Sequence, residues 1–318
     1  MISLVTFLIT TYNSQRWLNN CLNSVLNQTY KNLQVLIIDD GSDDSTVELI
    51  KNFSDKRIEL FCREHSGISK SLNFAIDKIK GDFVARIDSD DFCDDTRISK
   101  QMNFLELNPS YGIVGSNFFL VNEVGNKIDK IKNPEFHEDI IDQLPRRCCI
   151  WNGSIMLRTK ILKQLNGFNQ NLSTGEDWDF FLRAIGLTKF YNIPEFLTYK
   201  RIHPSNISNI ENAKKETERI LLNYNNSIIE KSKDKELTGK ACFNIGYHYY
   251  YENDFRMATE YFRKSIDKRG LTLRYLRYFL LSKYLNGFLK FFRENKLYKL
   301  FYWLKYFDKN NKYLRNKF

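Results

Sequence analysis

The sequence predicts an α/β protein: a mainly parallel sheet with helices on both faces, followed by an α-helical C-terminal region. Three observations carry this. Apolar, β-branched runs alternate with apolar residues at helical spacing through the first third of the chain. Acidic residues and turn residues follow two of those runs directly, and from about residue 211 the strand signals stop.

Taken in order, residues 4–9 are an unbroken apolar run, β-branched at Val5, Thr6 and Ile9, as a strand buried on both faces requires. Residues 14–26 set Trp17, Leu18, Cys21, Leu22, Val25 and Leu26 at helical spacing, with Asn13 or Ser14 as the cap. A second strand is expected at 35–38 and a second helix at 43–53. Strands at 58–62 and 83–87 follow, with a helix near 69–79 between them. Residues 113–121 and 127–131 read as a hairpin around 123–126, 174–184 as a short helix and 190–199 as a strand. Within 239–270, Ile245, Gly246, Tyr249, Ala258, Phe262 and Ser265 fall where a tetratricopeptide repeat places its Leu, Gly, Tyr, Ala, Phe and Ala. A single repeat cannot bury its own face, so this pair must pack on neighbouring helices or on the front half. The expected division is 1–210 and 211–318, the latter holding the repeat-like pair and a tail, 271–318.

Composition bounds the possibilities. The chain has 318 residues, 42% hydrophobic and 15% aromatic, which excludes wholesale disorder. Its six cysteines, Cys21, Cys62, Cys93, Cys148, Cys149 and Cys242, include no CxxC pair and read as reduced thiols rather than a metal or disulfide framework. The N-terminus lacks a basic leader region, and no 18-residue uncharged apolar window occurs, so a cytoplasmic protein is expected. The net charge of +10 lies wholly in the tail, where twelve Lys/Arg face only Glu294 and Asp308. Basic side chains are attracted to anionic head groups and aromatic rings favour the interface. The tail's fifteen aromatics therefore point to peripheral contact with the inner face of the cytoplasmic membrane. Packing of those rings on the helical region is the competing reading. Nucleic acid is not expected as a partner, since nothing in the front half suggests it.

Three acidic clusters carry the chemistry, two directly behind predicted strands and one opening a helix; the carboxyl ends of strands are where open parallel sheets bind ligands. In Ile38-Asp39-Asp40-Gly41-Ser42 a carboxylate could accept a nucleobase N–H, with Thr10 and Tyr12 offering a hydroxyl and a stacking ring. Equally, an aspartate there could only cap the next helix. In Arg86-Ile87-Asp88-Ser89-Asp90-Asp91 three carboxylates stand within four residues, and their repulsion favours a bound divalent cation over a merely solvated turn. Glu176-Asp177 opens a helix, where acids also serve the dipole; read functionally, Asp177 is a general base. His203 is a lone histidine after a strand and by itself reads as structural.

Together these segments resemble the family 2 glycosyltransferases. The resemblance rests on Thr10-Thr11-Tyr12-Asn13, Ser24-Val25-Leu26-Asn27-Gln28-Thr29-Tyr30 and Asp39-Asp40-Gly41-Ser42. It continues through Arg86-Ile87-Asp88-Ser89-Asp90-Asp91, Glu176-Asp177 and Tyr199-Lys200-Arg201-Ile202-His203, in the family's order and spacing over about residues 1–210. It implies a GT-A fold, inversion by single displacement, a UDP-sugar donor and Mn²⁺ or Mg²⁺. It further implies a saccharide or lipid-linked saccharide acceptor, as in bacterial lipooligosaccharide or capsule synthesis. By the same resemblance Asp40 would hold the uracil beside Thr10 and Tyr12, and Asp88 would face the ribose. Asp90 and His203 would ligate the metal, and Asp177 would be the base. Gly153 and Ser154 would form a glycine loop near the donor, Lys70 would reach the diphosphate, and Asp39, Arg86, Asp91 and Glu176 would support the site. Two other readings compete. One is a helical-repeat interaction protein with a degenerate front half, which the three intact acid clusters disfavour. The other is a nucleotidyltransferase, disfavoured by the absence of glycine from residues 10–14. No Ser/His/Asp set or P-loop is present to support covalent or ATP chemistry.

Overall fold

In a computed structural model that describes residues 2–206 and 211–294, every residue of β1 (Val5–Thr11) except Thr10 is buried. Next comes α1 (Leu18–Leu26), which buries Leu18, Cys21, Leu22 and Val25. Each of its buried aliphatic side chains contributes about 1.5–3 kcal/mol by leaving water. The helix begins four residues later than its apolar spacing suggests, because tertiary contacts fix the preceding turn. Asn13 takes a left-handed φ of 49°, the Ser14 amide donates to Thr46 Oγ1 at 2.8 Å, and the Ser14 hydroxyl bonds that of Ser89 at 2.8 Å. Neither Asn13 nor Ser14 caps the helix; the capping position is Trp17.

β2 (Leu33–Asp39) is buried throughout. Then α2 (Thr46–Lys51) is shorter than the expected 43–53, since Asp44 accepts the Thr46 amide at 2.9 Å and holds the entry as a turn. With β3 (Ile58–Cys62), α3 (Ile68–Ile76) and β4 (Phe83–Arg86), the first half of the sheet is complete and wholly parallel, in the order β3-β2-β1-β4.

The second half is mixed. It contains β5 (Phe92–Cys93), α4 (Arg97–Leu107), β6 (Tyr111–Val121), β7 (Lys127–Ile131) and α5 (His137–Gln143). After these come β8 (Met156–Arg158), α6 (Thr159–Gln164), α7 (Glu176–Ala184) and β9 (Lys189–Arg201). The β6–β7 hairpin forms as expected. The three-residue β8 wedges antiparallel between β4 and β6, while β9 pairs parallel with β6. Two antiparallel steps restore direction, so β9 runs the same way as β4 and its carboxyl end reaches the same sheet edge. A core including Phe7, Ile9, Leu22, Val35, Ile37, Ala85, Met102 and Val114 underlies that edge. The sequence gives no expectation for α4, α5, α6, β5 and β8; four of these are short, and α4 buries Arg97 and Gln101 beside Ile98, Met102 and Leu105, so its inward face is only partly apolar.

α8 (Glu211–Lys231) crosses the boundary between two compact units, Met1–Leu221 and Leu222–Phe318. The second unit continues as α9 (Lys235–Tyr251), α10 (Phe255–Arg269) and α11 (Leu273–Glu294). Asp234 and Asp254 cap α9 and α10 through their carboxylates. Gly246 meets Phe262 and Ala258 between these two helices, and a Cβ there would lie 2.8 Å from the Phe262 ring. This is close helix packing; the tetratricopeptide likeness rests on those sequence positions alone. Tyr275 and Tyr278 of α11 are buried with Phe243, Phe262 and Tyr250. The first aromatics of the expected tail are therefore core residues of the helical unit, and 295–318 lie outside the described residues. Among the described residues no helix is long and apolar enough to cross a membrane. All six cysteines are free, with Cys62 and Cys148 exposed.

Candidate active site

The carboxyl ends of β1, β2, β4 and β9 converge at one edge of the sheet. The register sets Thr11 beside Asp39, so Thr10, Tyr12 and Asp40 are neighbours across two strand ends. Asp39 caps its own turn: its carboxylate accepts the Gly41 and Ser42 amides at 3.2 and 3.0 Å and the Ser42 hydroxyl at 2.5 Å. Asp40, 4% exposed, instead reaches the loop between β3 and α3. There it accepts the Ser66 amide and hydroxyl, both at 3.2 Å, the Gly67 amide at 2.8 Å and the Ser71 hydroxyl at 2.5 Å. Burial alone would push the Asp40 carboxyl up, but these bonds from Ser71, Gly67 and Ser66 prevail and hold it below the usual carboxylate range. His65 Nδ1 stands 3.0 Å from the same carboxylate, and its ring stacks on Tyr12 at 4.2 Å. Lys70 is exposed on α3, next to Ser71.

The second turn follows β4. Arg86 is 1% exposed; its guanidinium donates to the Leu8 carbonyl at 2.9 Å and to Asp88 Oδ1 at 3.1 Å. Burial, followed by the charges of neighbouring acids, raises Asp88 and raises Asp91 well above the ordinary range. Arg86 opposes the shift at Asp88, and the Arg201 amide, 2.6 Å from Asp91 Oδ1, opposes it at Asp91. Asp90 Oδ2 meets His203 Nε2 at 2.8 Å and Asn206 Nδ2 at 3.1 Å. The His203 ring is held from both sides, by Ser205 Oγ at 2.9 Å from Nδ1 and by the Trp17 indole stacked at 4.1 Å. Arg201 ties this corner together. Its guanidinium donates to the carbonyls of Asp90, Asn122 and Glu123 and to Asn20 Oδ1.

The third cluster opens α7 after Gly175, which has φ +74° and whose Cβ would crowd Ile220. Burial and the neighbouring Asp177 push Glu176 up to about 8. Burial and the charge of Asp88 raise Asp177, while the Trp178 amide, Lys200 and Arg86 draw it back. Asp177, Asp88, Arg86 and Lys200 thus share one electrostatic neighbourhood. Gly153 and Ser154 form a buried single turn. A Cβ on Gly153 would lie 2.5 Å from the Trp151 ring. Ser154 is fully buried, donating to the Trp151 carbonyl and accepting the Ser116 amide. Its hydroxyl thereby holds this loop in place.

The residues brought together suit a hard divalent cation of the Mn²⁺ or Mg²⁺ kind. Asp90 and His203 would supply one oxygen and one nitrogen, and the adjoining Asp88 and Asp91 add negative charge. Among the described residues no three acid, histidine or cysteine side chains form a closed cage. Such ions commonly take one or two protein ligands and complete their shell with phosphate and water. Sequence reasoning passed over Asn206, Trp17, Lys200, Arg201 and His65 as site residues. Only Lys200 and Arg201 carried a signal, standing inside the segment that ends in His203.

Comparisons agree with this architecture. A family model described as glycosyl transferase family 2 matches residues 6–165. An uncharacterized glycosyltransferase of Haemophilus influenzae is 29% identical over 221 residues, covering 66% of this chain and 68% of that protein. The O-antigen biosynthesis glycosyltransferase WbnJ of Escherichia coli is 27% identical over 209 residues, covering 64% of this chain and 81% of WbnJ. The chain spans about a third or less of the longer Rickettsia relatives that it matches. Among solved structures, residues 1–349 of S. aureus TarS in complex with UDP-GlcNAc align with TM-score 0.56 at 18% identity, over 85% of this chain and 93% of that one. The mannosyltransferase PcManGT from Pyrobaculum calidifontis, in complex with GDP-Man and Mn²⁺, aligns with TM-score 0.58 at 16% identity, over 91% and 81%. These likenesses give the fold as GT-A. Half of the sequence matches the family model, and the relatives are named glycosyltransferases: the chain belongs to glycosyl transferase family 2.

Proposed function

We propose that this glycosyltransferase moves a sugar from a UDP-sugar to a hydroxyl of a saccharide or lipid-linked saccharide acceptor, with inversion, in the synthesis of a bacterial surface polysaccharide. The observation that carries the reading is the meeting of Asp90 and His203. They are 113 residues apart in sequence and 2.8 Å apart in space, at the edge where Asp40 and Asp177 also stand.

Asp40, Tyr12 and Thr10 hold the base, Asp88 faces the ribose, and Lys70 reaches toward the diphosphate from α3. Asp90 and His203 would hold Mn²⁺ or Mg²⁺, and such an ion would offset the negative charge that gathers on a departing diphosphate. Asp177 takes the proton of the acceptor hydroxyl as that oxygen forms its bond to the anomeric carbon from the face opposite the leaving group. The bond from that carbon to the diphosphate oxygen breaks, and UDP departs with its electron pair. Lys200 and Arg86 favour the ionised form of Asp177, the form a base requires. The O-antigen role of WbnJ and the UDP-GlcNAc bound to TarS support this reading; the GDP-Man complex supports a guanine nucleotide as the second choice of donor.

Incubating the protein with a panel of UDP-sugars and GDP-mannose, with and without EDTA, tests it. Release of UDP that stops in EDTA and returns with Mn²⁺ is expected. Undiminished release in EDTA ends the metal claim, and pyrophosphate as product would favour a nucleotidyltransferase.

A further inference from the structure

The base subsite just described is already filled by the protein itself. Tyr12 is 47% exposed and presents a ring face that carries the His65 imidazole, with centroids 4.2 Å apart and planes 30° from parallel. The same imidazole places Nδ1 3.0 Å from Asp40 Oδ2 and 3.0 Å from the Asp40 carbonyl oxygen. Both of those atoms accept, so Nδ1 carries the proton. A flat heterocycle thus lies on Tyr12 and points a ring N–H at Asp40, which are the two contacts assigned above to a uracil ring and its imide N–H.

The Asp40 carboxylate has no free capacity for a second such donor. It offers about four lone-pair positions. Ser66 N, Ser66 Oγ and Ser71 Oγ reach Oδ1, while Gly67 N and His65 reach Oδ2. The donors differ in what holds them. Two are backbone amides and Ser71 is fully buried on α3, whereas the His65 side chain is 57% exposed. Rotation about the side-chain bonds of His65 frees both the ring face and Oδ2, and breaks only the ring's own bonds to Oδ2 and to the Asp40 carbonyl. The backbone of His65 is itself fixed, because Gly41 packs so closely that a Cβ there would lie 2.7 Å from His65 N.

We propose that His65 is an internal surrogate for the nucleobase: it occupies the base subsite of the empty enzyme, must swing out before the donor binds, and so sets donor affinity. The proposal rests on the assignment of Tyr12 and Asp40 as the base site. A nucleotide that binds only after His65 leaves has its affinity reduced by the fraction of molecules with the site open. Removing the ring removes that reduction.

The test is calorimetric titration of UDP, with GDP alongside, into the full chain, His65→Ala and Tyr12→Ala. The expected result is a tightening by about 3- to 10-fold in His65→Ala and a weakening in Tyr12→Ala. In wild-type protein, the His65 ring proton resonances should move on adding UDP, as the ring leaves Tyr12. Binding that depends on Tyr12 but is unchanged or weaker in His65→Ala overturns the surrogate and leaves the base site standing. Binding indifferent to Tyr12, or no binding to any of the three proteins, overturns the base site and the surrogate together.

Discussion

Two turns in this molecule share a sequence plan and reach opposite electrostatic states. Each follows a buried parallel strand, and each sets aspartates at the same edge of the sheet. After β2, donors crowd in: Asp39 is closed by its own turn, and Asp40 is held below the ordinary carboxylate range by Ser71, Gly67 and Ser66. After β4, burial dominates, neighbouring acids reinforce it, and Asp88 and Asp91 are held above that range. The first turn has collected hydrogen bonds from the protein. The second has been left short of them, the condition under which a cation is welcome.

The largest effect should come from the second turn. Asp90→Asn is expected to lower turnover by about 10²–10³-fold or more, with an unchanged melting profile, and EDTA should mimic it reversibly. If the variant turns over normally, the contrast between the turns has no catalytic meaning. Next in size is Asp177→Asn, expected to lower kcat by about 10²–10⁴-fold while UDP affinity is largely kept. Because burial and Asp88 raise the Asp177 pKa, and a base must be ionised, the acidic limb of the kcat profile should lie above the ordinary carboxylate range. A limb at the ordinary position would remove Asp177 from that role.

Stability in EDTA sharpens the comparison further, because the two turns should respond with opposite signs. Asp40 has a lowered pKa, so its contribution is present above the unfolded value and is lost as pH falls through the folded one. Asp40→Asn should therefore destabilise at neutral pH, by about 1–3 kcal/mol, and the loss should shrink in acid. Asp91 has a raised pKa, so it favours folding below the unfolded value and loses that advantage as pH rises. Asp91→Asn keeps an acceptor for the Arg201 amide and should be stabilising at neutral pH, by on the order of 1 kcal/mol. Urea melts of both variants across pH give the two signs directly, and equal signs would dissolve the distinction.

The smallest effect concerns the tail. Full-length protein should float with anionic vesicles at low salt, each basic residue near the surface contributing roughly 1 kcal/mol. A chain ending at residue 294 should float less. The cut belongs there and not near 270, since Tyr275 and Tyr278 are part of the helical core. Equal flotation of the two forms would remove the membrane assignment from 295–318.

The strands of the first half were legible because burial on both faces demands unbroken apolar runs, and the acid clusters were legible because they interrupt such runs. β8 was not, since three residues carry no periodicity and its partners lie 40 or more positions away. The start of α1 was misread for a related reason: Ser14 would suit a cap, but its hydroxyl is taken by Ser89, 75 residues on. His203 shows the limit most clearly. By itself a lone histidine after a strand reads as structural; only the family resemblance pairs it with Asp90, and the fold sets the two 2.8 Å apart.

Arg201 has a consequence for how this enzyme can diversify. One guanidinium joins the Asp90 carbonyl to the carbonyls of Asn122 and Glu123 at the tip of the β6–β7 hairpin, and the Trp17 indole N–H also donates to Glu123. Insertions or deletions at that tip therefore withdraw acceptors from the same side chain that steadies the acid turn. The tip is thereby tied to the acid turn. A chimera spliced through 122–123 should lose turnover with the donor.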